Sequence, residues 1–152
     1  MLIILEGCDG TGKSTIAKRL ASVLNAEVIH CSTKTPNNYD FFSEIIYHSR
    51  ERNIIADRFM YGQFVYQNEN QRQLTKAQLY QLETQLLSVG AKVILVSATT
   101  KDIEARLGAR NEELINGLSI SEVKDRFNYL MKDSMLPVKL WDTSTGITTE
   151  VE

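Results

Sequence analysis

Gly7-Cys8-Asp9-Gly10-Thr11-Gly12-Lys13-Ser14 matches the pattern G-x-x-x-x-G-K-[ST] over its full length. An apolar run, Leu2-Ile3-Ile4-Leu5, precedes it, and Ile16, Leu20, Val23 and Leu24 recur after it on one helical stripe. Glycines let the backbone turn tightly and approach an anion without Cβ obstruction. The N–H groups of Gly10, Thr11, Gly12, Lys13 and Ser14, at a helix N-terminus, then form a cradle for phosphate. Lys13 adds a point charge for β- and γ-phosphates, Ser14 a hydroxyl for Mg²⁺, and Thr15 sits beneath the terminal phosphates in the first turn. Strand, glycine spacing, Lys, Ser and helix all agree, so the segment reads as a triphosphate-binding loop.

The rest of the chain continues the alternation. Strand patterns lie near 2–6, 28–31, 53–57, 92–97 and 138–141, with helical patterns between them. Phe41, Phe42, Ile45 and Ile46 suggest a short helix ending near Arg50, whereas 59–66 is ambiguous between helix and loop. Thr75 is placed to cap a helix carrying Leu79, Leu82, Leu86 and Val89, which Gly90 stops. Ser119 and Glu122 form a capping-box signature ahead of Ile120, Val123, Phe127 and Leu130. The expectation is an α/β fold: three α/β/α layers around a five-stranded, mostly parallel sheet, with a short lid over about 108–118. Ligands of such sheets sit beyond the carboxyl ends of the strands, which gathers the residues after Glu6, Cys31, Asp57 and Ser97 around one crevice.

With 152 residues the chain fits one domain, over 1–152. Hydrophobic residues are 43% and charged residues 24%, enough for a core and a soluble surface. Seventeen Lys and Arg against 19 Asp and Glu leave a net charge of -2, which excludes a mainly polyanion-coating role; no direct nucleic-acid partner is expected. Cys8 and Cys31 are the only cysteines, without zinc spacing, and read as free thiols of a reducing compartment. No apolar run approaches the roughly 18 residues of a membrane span, so the expectation is a cytoplasmic protein with no membrane partner.

A triphosphate loop does not by itself fix a reaction. The D-x-x-G and N-K-x-D elements of GTPase switches are missing, since Asp57 is followed by Arg58-Phe59-Met60. The length suits a kinase of a small acceptor. Leu5-Glu6-Gly7 running into the glycine loop, with the acidic Asp9 inside it, resembles the thymidylate kinase family. So does Ile55-Ala56-Asp57-Arg58-Phe59, followed by Val65-Tyr66-Gln67, where the family has Asp-Arg-Tyr and then Ala-Tyr-Gln. Thr33-Lys34-Thr35-Pro36 stands where the family has an Arg-Glu-Pro-Gly loop. The chain is similar to a shortened member of that family, for which a virus is a candidate source.

The resemblance implies ATP and Mg²⁺ as cofactors and a deoxynucleoside monophosphate as substrate, with dTMP converted to dTDP. It implies that Asp9 contacts the acceptor sugar, that Lys34 and Arg58 clamp the acceptor phosphate, and that Tyr66 and Gln67 line sugar and base. Asp57, with Ser14, would serve the Mg²⁺ shell, and Phe42 (or Phe41) would stack on the base. Arg106 and Arg110, four residues apart, match a lid that neutralises the transferring phosphates beside Lys13. The loop 143–146 resembles the one that passes the adenine, and pairing through helices implies a homodimer. Two alternatives stay open: a kinase of a nucleoside or modified nucleotide, and a nucleotide-binding protein without monophosphate kinase activity.

Overall fold

The computed structural model describes residues 1–32, 34–108 and 117–150. Strands and helices alternate along them. The first half contains β1 (Leu2–Glu6), α1 (Lys13–Leu24), β2 (Glu27–His30), α2 (Tyr39–His48), β3 (Ile54–Asp57) and α3 (Gly62–Tyr66). The second half contains α4 (Lys76–Ser88), β4 (Lys92–Ser97), α5 (Thr100–Leu107), α6 (Ile120–Lys132), β5 (Val138–Asp142) and β6 (Ile147–Glu150).

The strands join in the order β2-β3-β1-β4-β5-β6. Every residue of β1 and β3 is buried, because helices cover both sheet faces. Side-chain parity sorts those residues into two cores. Leu2, Ile4, Ile54, Ala56, Val93 and Leu95 pack on one face with residues of α2, α4 and α6. Ile3, Leu5, Ile55 and Val96 pack on the other against Ile16 and Ala17 of α1. This is the three-layer α/β/α arrangement expected. Its helices start where local chemistry permits: Thr75 and Gln78 close a reciprocal capping box on α4, and the Ser119 hydroxyl accepts the Glu122 N–H on α6.

Among the described residues the sheet has six strands rather than five. Gly146, at φ 76°, donates its N–H to the Asp142 carbonyl at 2.7 Å, and the Asp142 carboxylate accepts the Ser144 N–H at 2.8 Å. That tight turn returns the chain along the free edge of β5, antiparallel, with Leu140 opposite Thr149. The first five strands run parallel. Gly7 sits where β1 leaves the sheet at φ 141°, and a Cβ there would collide with the Val96 carbonyl oxygen of β4. Only glycine lets the loop depart so close to its neighbour. Among the described residues, no helix is long and apolar enough to cross a membrane.

Candidate functional site

Beyond the carboxyl ends of β1, β2 and β3 lies a cavity of about 470 Å³. Asp9, Gly10, Gly12, Lys13, Ser14 and Thr15 line it from the loop and α1. Gly12, at φ 95°, is the N-cap of α1 and brings no capping side chain. Lys13 is buried, and its Nζ donates to the carbonyls of Gly7 and Cys8, each at 2.8 Å. Burial pulls the Lys13 pKa down, and the Asp57 and Glu6 carboxyls pull it up. Thr11 does not line the cavity; its buried hydroxyl donates to the Cys8 carbonyl at 2.8 Å.

Asp57 closes β3 at the opposite wall. Its Oδ2 accepts the Ser14 hydroxyl at 2.8 Å and lies 3.1 Å from His30 Nδ1 at the end of β2. Hydroxyl and carboxylate oxygens are the donors Mg²⁺ prefers, and that ion commonly takes one or two protein oxygens and completes its shell with phosphates. Ser14 and Asp57 therefore fit the role of holding it. Among the described residues no group of three or more His, Cys, Asp or Glu side chains is placed to bind a metal.

A second cavity, of about 250 Å³, lies beside the first and shares Arg58, Cys31 and Ser32 with it. Phe59, Tyr66 and Phe127 give it aromatic walls, and Gln63, Gln67 and Gln73 give it amides. Gln63 ties three segments together. Its Nε2 donates to the Asn37 carbonyl at 2.7 Å, and its Oε1 accepts the Gln73 N–H at 3.0 Å. Arg58 stands between the two cavities, in an ion pair with Asp9. Its backbone is left-handed, φ 72°, and its N–H donates to the Leu5 carbonyl at 2.8 Å. Such a conformation in a residue with a long side chain is a strained one, of the sort that gathers at functional sites.

Glu6 also lines the second cavity and is only 1% exposed. Its Oε2 accepts the Gly62 N–H at 3.2 Å. Burial pushes its carboxyl from the ordinary 4.5 up to about 8, against the lowering pull of Lys13 and Arg58. In the sequence this residue has the look of a polar strand terminus. The available signal was a carboxylate closing an otherwise apolar, doubly covered strand directly before the glycine loop. His30 offered no comparable signal.

The structure thus gathers Asp9, Lys13, Ser14, Thr15, Asp57, Arg58, Tyr66 and Gln67 around two adjoining cavities. Phe42 needs correction: it is fully buried, edge-on to Phe59 with ring centroids 4.8 Å apart, and belongs to the core rather than to a base platform. Its position on the inward stripe of α2, beside Ile45 and Ile46, explains this. Lys34 is exposed on the loop after β2 and lines neither cavity. Arg106 donates to the Gly10 carbonyl at 3.3 Å and to the Thr143 hydroxyl at 2.9 Å, on the outer side of the loop. Helix α5 ends at Leu107, with Gly108 as its C-cap at φ 60°. Arg110 and most of the lid expected over 108–118 lie outside the described residues.

No family model matches the chain. It is 32% identical over 158 residues to the SPbeta prophage-derived uncharacterized protein YorR of Bacillus subtilis (strain 168), covering 99% of this chain and 93% of that one. A crystal structure of YorR in complex with phosphorylated GDP matches with a TM-score of 0.79 and 31% identity, over 94% of this chain and 86% of that one. Deoxyadenosine kinase from M. mycoides with bound dATP matches at 0.58 and 18% identity, over 93% and 91% of the two chains. Thymidylate kinase from Candida albicans matches at 0.54 and 20%, over 94% and 84%. The last two likenesses show a shared α/β/α fold.

Proposed function

The chain belongs to the family of YorR, and from that premise we propose that it transfers a phosphoryl group from ATP to a nucleoside or nucleotide. The observation that carries this reading is the pairing of two cavities across Arg58, one floored by the glycine loop and the other holding the buried carboxyl of Glu6. That YorR was crystallised with phosphorylated GDP supports a nucleotide ligand here.

In this reading the loop N–H groups and Lys13 bind the triphosphate. Ser14 and Asp57 would hold Mg²⁺, which would supply charge neutralisation for the transferring phosphates. The acceptor lies in the second cavity between Phe59, Tyr66 and Phe127, with the Gln67 amide against it. In its ionised form Glu6 takes the proton of the acceptor hydroxyl as the hydroxyl oxygen bonds the γ-phosphorus, and the bond to the β,γ-bridging oxygen breaks to release ADP. Arg58 spans both cavities and draws donor and acceptor together.

Glu6 favours a hydroxyl acceptor, that is, a nucleoside or a modified nucleotide. A monophosphate such as dTMP, as the thymidylate kinase resemblance implies, brings a dianion that needs cations. Of Lys34 and Arg58, only Arg58 lines the cavity, and it is already paired with Asp9. A coupled assay of ADP release with ATP and Mg²⁺, run across nucleosides and their monophosphates, tests the proposal. Turnover with nucleosides is the expected result. Turnover with monophosphates alone would remove Glu6 from the proton step, and no turnover with either would leave only a nucleotide-binding protein.

A further inference from the structure

A planar trans peptide sends its carbonyl oxygen and the next residue's N–H to opposite sides. In a phosphate loop, holding a carbonyl from outside therefore aims the following N–H inward. Two carbonyls of this loop, those of Gly10 and Thr11, are held by side chains from the far end of the chain. The Thr143 hydroxyl, in the turn between β5 and β6, lies 2.7 Å from the Thr11 carbonyl and 3.1 Å from that of Ser97. A hydroxyl has one proton, and the nearer acceptor is Thr11. Its oxygen in turn accepts Arg106 Nη1 at 2.9 Å, and the same nitrogen reaches the Gly10 carbonyl at 3.3 Å. Neither Thr143 nor Arg106 lines the first cavity, so both hold the loop from behind.

We propose that Thr143 is a positioning residue of the triphosphate cradle: its hydroxyl bridges the Thr11 carbonyl and Arg106, and so aims the Gly12 N–H into the cavity before any nucleotide arrives. The inference rests on the triphosphate reading of that cavity. The backbone of the turn is fixed without the hydroxyl, because the Thr143 N–H donates to the Ser97 carbonyl at 2.8 Å and Gly146 closes on Asp142. Removing the hydroxyl therefore perturbs the loop and not the hairpin.

The test compares Thr143→Val and Thr143→Ser with the parent protein, with Thr143→Ala in place of valine if that variant does not fold. Backbone ¹⁵N relaxation over residues 10–14 is measured without ligand, followed by titration with ATP and Mg²⁺. In Thr143→Val, Gly12 should lose order and ATP affinity fall by about tenfold, the scale of one lost hydrogen bond. Thr143→Ser should match the parent. Equal order at Gly12 and equal ATP affinity in Thr143→Val and the parent would overturn the inference, as would a serine variant as impaired as valine. If the parent binds no triphosphate while valine still loosens Gly12, the nucleotide reading falls and the brace stands.

Discussion

Replacing Glu6 by Gln should change how stability depends on pH. The carboxyl is buried and its pKa lies at about 8 in the folded protein, against an ordinary 4.5. Below 4.5 both folded and unfolded chains hold the proton, and this group adds no pH dependence. Between 4.5 and 8 the unfolded chain releases the proton while the folded chain keeps it, so stability falls as pH rises. At ~1.4 kcal/mol per pH unit the loss across that window is about 5 kcal/mol, a third or more of the total stability of many domains. Glutamine has the same shape, stays neutral throughout and can still accept the Gly62 N–H. The stability of Glu6→Gln minus that of the parent should therefore rise steadily from pH 5 to pH 8 and level off above it. Urea titrations of both proteins at intervals of half a pH unit measure this difference, and titrating groups not coupled to Glu6 cancel between them. Parallel stability curves, with a constant difference across the range, would refute the burial argument and with it the assignment of Glu6 as a base that ionises near neutrality.

Two further substitutions probe the frame of the site. Phe42→Ala should cost about 3–5 kcal/mol in urea denaturation, as for a large buried aromatic whose cavity cannot fully collapse. A loss below about 1 kcal/mol with a raised acceptor KM would return Phe42 to the pocket wall. Gly7→Ala should lower stability by about 3 kcal/mol or more, since the new methyl meets the Val96 carbonyl oxygen in a backbone conformation that L side chains rarely adopt. An unchanged melting temperature would contradict that geometry.

Local chemistry made most of the frame legible. The glycine loop between an apolar strand and an amphipathic stripe located β1, α1 and the first cavity, and Asp57-Arg58 at a strand end located its opposite wall. What escaped depended on contacts between distant segments. Whether Phe41 or Phe42 faces inward is decided by the neighbours of α2, among them Phe59, and helical spacing alone cannot choose. Strand β6 exists because the Asp142 carboxylate and Gly146 fold the turn back on β5, and its four residues are too few to show a period. Glu6 looked like the polar end of a strand. Its altered proton affinity comes from burial by distant segments, which outweighs the opposing pull of Lys13, Arg58 and the Gly62 N–H. Lys34 matched a motif position, but the loop that carries it leaves its side chain in solvent.

The left-handed backbone of Arg58 has a consequence for how this protein would drift under laboratory selection. Glycine would adopt φ 72° without the ~1–2 kcal/mol that a Cβ costs there. A library screened only for heat resistance should therefore enrich glycine at position 58 and discard the guanidinium between the two cavities. If Arg58 serves the proposed reaction, robustness and chemistry pull on that residue in opposite directions, and selection for turnover should restore the arginine that selection for heat resistance removes.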